Sequence, residues 1–128
     1  MAGAPSLAAR AACRGGAGLV RVVVLKGAGT VVCDSSRLYV NKTGNPGMAT
    51  GGTGDVLAGL IGALMGLRLS DFDAASLGTH LHGQAGDRAA RRLGIWSMLA
   101  GDLLDELPNA FKAYAKLSGN RTRLEAKK

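Results

Sequence analysis

Cysteine is nearly absent from this sequence: Cys13 and Cys33 are the two it has. They stand at no metal-ligand spacing and cannot form a disulfide framework, which excludes a disulfide-stapled scaffold. Both are read as reduced, half-buried or buried apolar thiols in a cytosol-like compartment, and no metal site is expected. Acidic residues are missing from the first 33 positions, where Arg10, Arg14 and Arg21 stand. That imitates a mitochondrial transit peptide. However, SLAARAAC leads directly to the strand-like VVVL with no spacer, so a short helix of the fold is the better reading. A long apolar run is lacking too. VRVVVLKG is interrupted by Arg21 and stopped by Lys26, far short of the ~20 residues that a membrane span needs. The sequence therefore predicts a soluble, cytoplasmic protein without a membrane partner. The excess of bases, +7 in formal charge, is spread along the chain and thickens only in KAYAKLSGNRTRLEAKK. A scattered charge of this kind gives no electrostatic footprint for nucleic acid. The tail reads as a frayed, solvated end.

What the chain does have is apolar content, 47% over 128 residues, enough for one domain with a real core. The pattern is an alternating α/β one. Ser6 caps a short alanine-rich helix, and LVRVVVL at 19–25 reads as a strand buried on both faces. Thr30–Cys33 and Leu38–Asn41 form a hairpin around the polar turn DSSR. A helix starts at Asp55 with Val56, Leu57, Leu60, Ile61, Leu64 and Met65 as its apolar face, and it ends near Gly66. Ser70 or Asp71 opens a long helix through Arg92, stopped by Gly94. Ser97 caps a further helix carrying Leu99, Leu103, Leu104 and Leu107. Pro108 is expected to break it, leaving Phe111, Tyr114 and Leu117 on a short last helix, with SGN at 118–120 breaking the chain again. Residues 1–117 are assigned to the domain and 118–128 to a basic, flexible tail. Three strands and four helices do not complete a layered α/β domain, so the sequence is expected to represent its C-terminal portion.

The chemistry is concentrated in NPGMATGGTGDVLAG at 45–59. Glycines at 51, 52 and 54 between a hairpin and an apolar helix let successive backbone N–H groups face one concavity at a helix N-terminus. That is an anion hole suited to phosphate. The motif is not a Walker loop, because no GK[ST] follows, and not an early GxGxxG. Asp55 has two readings. It is either a first-turn acid favoured by the helix dipole, or a general base that takes the proton of a hydroxyl attacking a phosphoryl group. LKGAGT at 25–30 ends the apolar strand. It is either an ordinary turn or a second nucleotide contact, with Lys26 reaching phosphate.

VVVLKGAGTVV, NKTGNPGMATGGTGDVLAGLIGAL, THLHGQAGD and SMLAGDLLDELP together resemble the C-terminal half of the bacterial NAD(P)H-hydrate dehydratases, members of the ribokinase-like superfamily. The resemblance covers residues 6 to 115. It implies a ribokinase-like three-layer α/β sandwich, of which this chain holds the C-terminal portion, and a lyase that repairs nicotinamide nucleotides. In that reaction the hydrate's hydroxyl is phosphorylated by an adenine nucleotide and phosphate is then eliminated. Carried over, Lys26, Gly27, Ala28, Gly29 and Thr30 resemble one nucleotide-binding segment, and the stretch from Asn45 through Thr50, Gly51, Gly52, Thr53 and Gly54 resembles a second. Asp55 resembles the catalytic base that contacts the hydrate. The bacterial form GMATGGTGD implies ADP rather than ATP, with Mg2+ shielding the phosphates. The full-length form is implied to be a homo-oligomer. His80 and His82 are two residues apart on a helix and so lie on different faces; they and Asp87 are assigned packing or supporting roles. Two other functions are weighed against this one: a small-molecule kinase of the same superfamily, and an inactive fragment that acts as a binding or assembly module through uncovered apolar surface.

Overall fold

The computed structural model describes residues 11, 14–16 and 21–125, with side chains through residue 119. The helix expected after Ser6, Cys13 and residues 17–20 lie outside that description. Three short strands, β1 (Val23–Leu25), β2 (Val31–Cys33) and β3 (Leu38–Val40), form an antiparallel meander in the order β1-β2-β3. Val23 pairs with Cys33 and Leu25 with Val31, while Val31 pairs with Val40 and Cys33 with Leu38. The hairpin is as its sequence predicts. Its turn is closed by Asp34, whose Oδ1 accepts the N–H groups of Ser36 at 2.8 Å and Arg37 at 2.7 Å. Those bonds, the Ser36 one foremost, with Arg37 beside them, hold the Asp34 carboxyl at about 2.

The strand expected to be buried on both faces is different. β1 spans only Val23–Leu25 among the described residues and pairs with β2 alone, with Val23 and Val24 half-buried and Leu25 exposed. A β-branched run signals extended backbone, but the neighbours decide how many faces are covered. Val32, in the central strand, is the strand residue that is fully buried.

Three helices make most of the core: α1 (Thr53–Gly66), α2 (Asp71–Leu93) and α3 (Ala100–Glu125). α2 is the middle element, packed on α1, on α3 and on β2. Its boundaries match its sequence signals. Ser70 Oγ accepts the Asp73 N–H, Asp71 and Asp73 stand in the first turn, Arg91 and Arg92 in the last, and Gly94 (φ 77°) ends it. Leu60, Leu64, Leu81, Ala85 and Ala110 form the main cluster, and Ala89, Met98 and Leu103 a second one under the glycine loop, against Met48 and Val56. α2 is also rich in glycine, although each helical glycine costs ~0.8–1 kcal/mol relative to alanine. Close approach explains it. A Cβ on Gly83 would collide with Thr43, one on Gly86 with the Met48 side chain, and one on Gly78 would stand 2.7 Å from Ile61 Cγ1.

The C-terminal helices expected from sequence are one. α3 runs from Ala100 to Glu125 with Pro108 inside it and continues through Ser118, Gly119 and Asn120. Proline removes one hydrogen bond and crowds the carbonyl four residues earlier, that of Leu104. Leu104 is 53% exposed, so the displaced carbonyl is on the wet side, while Leu103 and Ala110 are fully buried against α2. Tertiary packing on that face outweighs the local penalty. Ser97 does not cap this helix. Instead Asp102 Oδ2 accepts the Leu99 N–H at 2.8 Å, and Asp102 N–H returns to the Leu99 carbonyl, half of a capping box read from the third helical residue.

Candidate functional site

The two glycine-containing segments separated by the hairpin come together in space. After β1 the chain turns through KGAGT, where Thr30 Oγ1 lies 3.4 Å from the Gly27 N–H and 3.2 Å from the Gly27 carbonyl. Gly29 holds φ 71°, and Asn41 N–H donates to the Thr30 carbonyl at 2.8 Å. This turn faces the start of α1. The Lys26 ammonium reaches across so closely that a Cβ added to Gly54 would lie 2.5 Å from Nζ. Between the two segments is a cavity of about 830 Å³. Residues 26–30 all line it, as do Asn45, Thr50 and Thr53, and so does Lys42. Two lysines and no carboxylate stand on its wall. Such a surface attracts an anion.

α1 begins with Gly52 in the left-handed region (φ 87°), and no side chain caps it. The helix end therefore keeps its partial positive charge for whatever lies above it. Glycine at 52 also permits the sharp entry into the helix, with Asp55 and Val56 N–H both donating to its carbonyl. Gly51, Gly52 and Asp55 are exposed, on the rim of the loop rather than on the cavity wall. Asp55 stands in the first turn of α1.

Among the polar groups that hold the loop, sequence reasoning missed Asn41 and Thr43. Asn41, 6% exposed, donates from Nδ2 to the carbonyls of Thr43 (3.0 Å) and Thr79 (3.2 Å). Thr43 Oγ1 lies 2.9 Å from the His80 carbonyl. The Asp87 carboxylate accepts the Gly44 N–H and the Asn45 amide, each at 3.0 Å. The clue available was NKTGN itself, a polar stretch where a hairpin strand ends. The two histidines do face different ways: His80 packs edge-on against Tyr114, 6.2 Å between ring centroids, whereas His82 lines the cavity with Nε2 2.8 Å from the Thr53 carbonyl. A carbonyl can only accept, so the Nε2 nitrogen carries the proton.

Burial pushes the His82 pKa down, the Thr53 carbonyl opposes this in part, and the Lys26 charge lowers it further. The imidazole thus binds a proton less readily in the folded chain than in the unfolded one. Its contribution to stability is present above the unfolded value of about 6.5 and is lost as pH falls below it. Melting temperatures measured between pH 8 and pH 5.5 should fall for the parent, with a shallower fall for His82→Asn. Equal slopes would mean that His82 does not titrate differently on folding.

The sequence matches a family model described as NAD(P)H-hydrate dehydratase over residues 21–109. It is 57% identical over 88 residues to the bifunctional NAD(P)H-hydrate repair enzyme Nnr of Moorella thermoacetica, a match that covers 68% of this chain and 17% of that protein. With Nnr of Escherichia coli the identity is 54% over 87 residues, 67% of this chain and 17% of the relative. The fold is similar to the crystal structure of an ADP/ATP-dependent NAD(P)H-hydrate dehydratase from Bacillus subtilis co-crystallised with ATP and Mg2+. The TM-score is 0.72 at 31% identity, over 86% of this chain and 39% of that one. The matched part of this chain thus corresponds to about a sixth of the length of the curated relatives.

Proposed function

Because the chain belongs to the NAD(P)H-hydrate dehydratase family, matched over residues 21–109, we propose that it carries the nucleotide site and catalytic base of an enzyme that dehydrates hydrated NADH or NADPH at the expense of ADP. The observation that supports this most directly is the Lys26 ammonium lying against Gly54 at the uncapped start of α1, beside a cavity with no carboxylate on its wall. Phosphate oxygens at that point meet a helix N-terminus and a cation together. The adenosine end lies along the Gly27–Thr30 turn. Asn45 and the residues from Thr50 to Gly54 enclose the phosphates.

In this mechanism Asp55 accepts the proton of the hydrate's hydroxyl as its oxygen attacks the terminal phosphoryl group of ADP, and AMP leaves with the electrons of the broken P–O bond. Elimination follows. The C–O bond of the phosphorylated carbon breaks, phosphate takes that electron pair, and loss of a proton from the neighbouring carbon restores the ring double bond. Hydrate and ADP become NAD(P)H, AMP and phosphate. Among the described residues no group of three His, Cys, Asp or Glu could hold a metal ion, so magnesium is proposed to arrive on the nucleotide, where it neutralises charge on the phosphates. Further hydrate contacts are assigned to the part of the family fold outside this match, and assembly to a homo-oligomer.

No described helix is long and apolar enough to cross a membrane; a cytoplasmic location is part of the proposal. The test is NADH absorbance with hydrated NADH, ADP and magnesium, using this chain co-expressed with the remaining part of the Bacillus subtilis fold. Recovery of NADH with release of AMP is expected. A nucleotide-dependent phosphorylation of sugar alcohols or vitamin precursors, with no NADH formed, would transfer the chain to the small-molecule kinases.

A further inference from the structure

The segment from Gly44 to Thr53 is held at both ends by side chains of one helix. At its beginning, Asp87 of α2 uses one carboxylate oxygen for the Gly44 N–H and the other for the Asn45 Nδ2, both at 3.0 Å. Gly44 has φ 108°, a conformation open to glycine, so this backbone turn has few alternatives of its own once the amide is fixed. Asn45 Oδ1, oriented by the bond at the other side of its amide, accepts the Gly47 N–H at 3.0 Å and so caps the single 3-10 turn Pro46–Met48. The carbonyl of Met48, the last residue of that turn, receives the Thr53 hydroxyl at 3.0 Å. At the far end, His82 of α2 holds the Thr53 carbonyl at 2.8 Å.

We infer that Asp87 and His82 are positioning residues that fix the register of the phosphate loop against α2, with Asn45 relaying the hold of Asp87 to Gly47. The inference deepens the proposed function, resting on that reading for the loop's ligand but not for the relay itself. Neither side chain needs to touch a reacting atom. Each acts on the loop: the Asp87 carboxylate, accepting the Gly44 backbone N–H and the Asn45 side-chain amide, gives charge-assisted bonds, stronger than neutral ones, and the buried His82 imidazole keeps a carbonyl at the helix start in place. Loop groups prearranged in this way do not have to be ordered when the nucleotide binds, which is where a cost in affinity would otherwise appear.

Asn45 makes the relay separable from general packing, because its two ends can be exchanged with those of Asp87. In the doubly substituted Asn45→Asp, Asp87→Asn chain, Asn at 87 accepts Gly44 N–H through its oxygen and donates through its amide to Asp at 45. That Asp still accepts Gly47 N–H. Every link of the relay is retained, with the bond between 45 and 87 reversed in direction and the charge moved from 87 to 45.

Amide hydrogen exchange by NMR on the ligand-free chain reads the clamp without any nucleotide. In Asp87→Ala, Gly44 and Gly47 should both exchange about ten- to a hundredfold faster, the range of one charge-assisted bond, while Val32 in the central strand keeps its protection. The double exchange Asn45→Asp, Asp87→Asn should restore both amides. ADP titration by calorimetry is run on the same samples, and a tenfold weaker Kd in Asp87→Ala is expected. If Gly47 keeps its protection in Asp87→Ala while Gly44 loses it, or if the double exchange restores neither, the relay is overturned. Should the parent fail to bind ADP while the exchange pattern holds, the nucleotide reading falls and the clamp stands.

Discussion

Asp55→Asn is expected to lower turnover by roughly 10² to 10⁴ fold, the range associated with loss of a general base, and to leave ADP affinity unchanged or slightly improved. The amide keeps the shape of the carboxyl and removes its capacity to take a proton. Asp55 is exposed in the first turn of α1, two residues inside a helix whose N-terminus is left without a side-chain cap. It shares this helix end with the glycine loop and does not lie on the cavity wall. That is where an acceptor for a second substrate's proton belongs. A carboxylate among the phosphates would repel them. The competing role, an acid that stabilises the helix end, predicts another result: a loss of about 0.3–1 kcal/mol in stability and no change in rate. Thermal unfolding of the chain and NADH recovery by the assembled enzyme are therefore measured together. Parental turnover in the Asn variant would leave Asp55 as a helix-end acid.

Gly54→Val should weaken ADP binding by about ten- to a hundredfold, the range of a hydrogen bond to a charged group, with little loss of stability. Gly54 is within the first turn of α1, and its backbone is ordinary for any residue. Valine is also a better helix former than glycine. What its side chain meets is the Lys26 ammonium, 2.5 Å from the position of the new Cβ. The tip of a lysine is flexible and moves aside at small cost, so the fold survives and the cation is displaced from the phosphate site. Lys26→Ala should produce a similar loss, and the double variant no more than either alone, because both remove one interaction. Gly52→Val contrasts with this. There φ is 87° and a Cβ would stand 3.1 Å from Ala100 Cβ, so a β-branched residue strains the backbone itself, and stability falls along with affinity. Calorimetric titration with ADP decides between these outcomes. An unchanged Kd in Gly54→Val would remove the anion site from the start of α1.

Much of this was present in the linear order of residues. α2 was legible at both ends because its signals are local: a serine oxygen over the first free N–H groups, acids in the first turn, arginines in the last and a glycine to leave the helix. The hairpin was legible for the same reason, since Asp34, Ser36 and Arg37 close their own turn. GGTGD announced a backbone suited to phosphate, LKGAGT left an ordinary turn and a nucleotide contact both open, and their combination with the surrounding segments was specific enough to indicate the family and its fold.

Decisions that depend on distant neighbours were not available from spacing. Pro108 reads as a helix end because the sequence shows its missing N–H but not α2, whose contacts with Leu103 and Ala110 hold the helix on course past it. The run of valines before Lys26 gives an extended strand, but only pairing could show that its described part has a single partner, β2. The same distinction divides the site. Residue type made Lys26, the glycines and Asp55 candidates for handling a phosphoryl group, since charge, proton affinity and the absence of a Cβ are properties of a residue alone. That Lys26 lies on Gly54, and that Asp87 and His82 grip the two ends of one loop from 42 and 29 positions away, are properties of distance, and only the packing of α2 against the loop sets those distances.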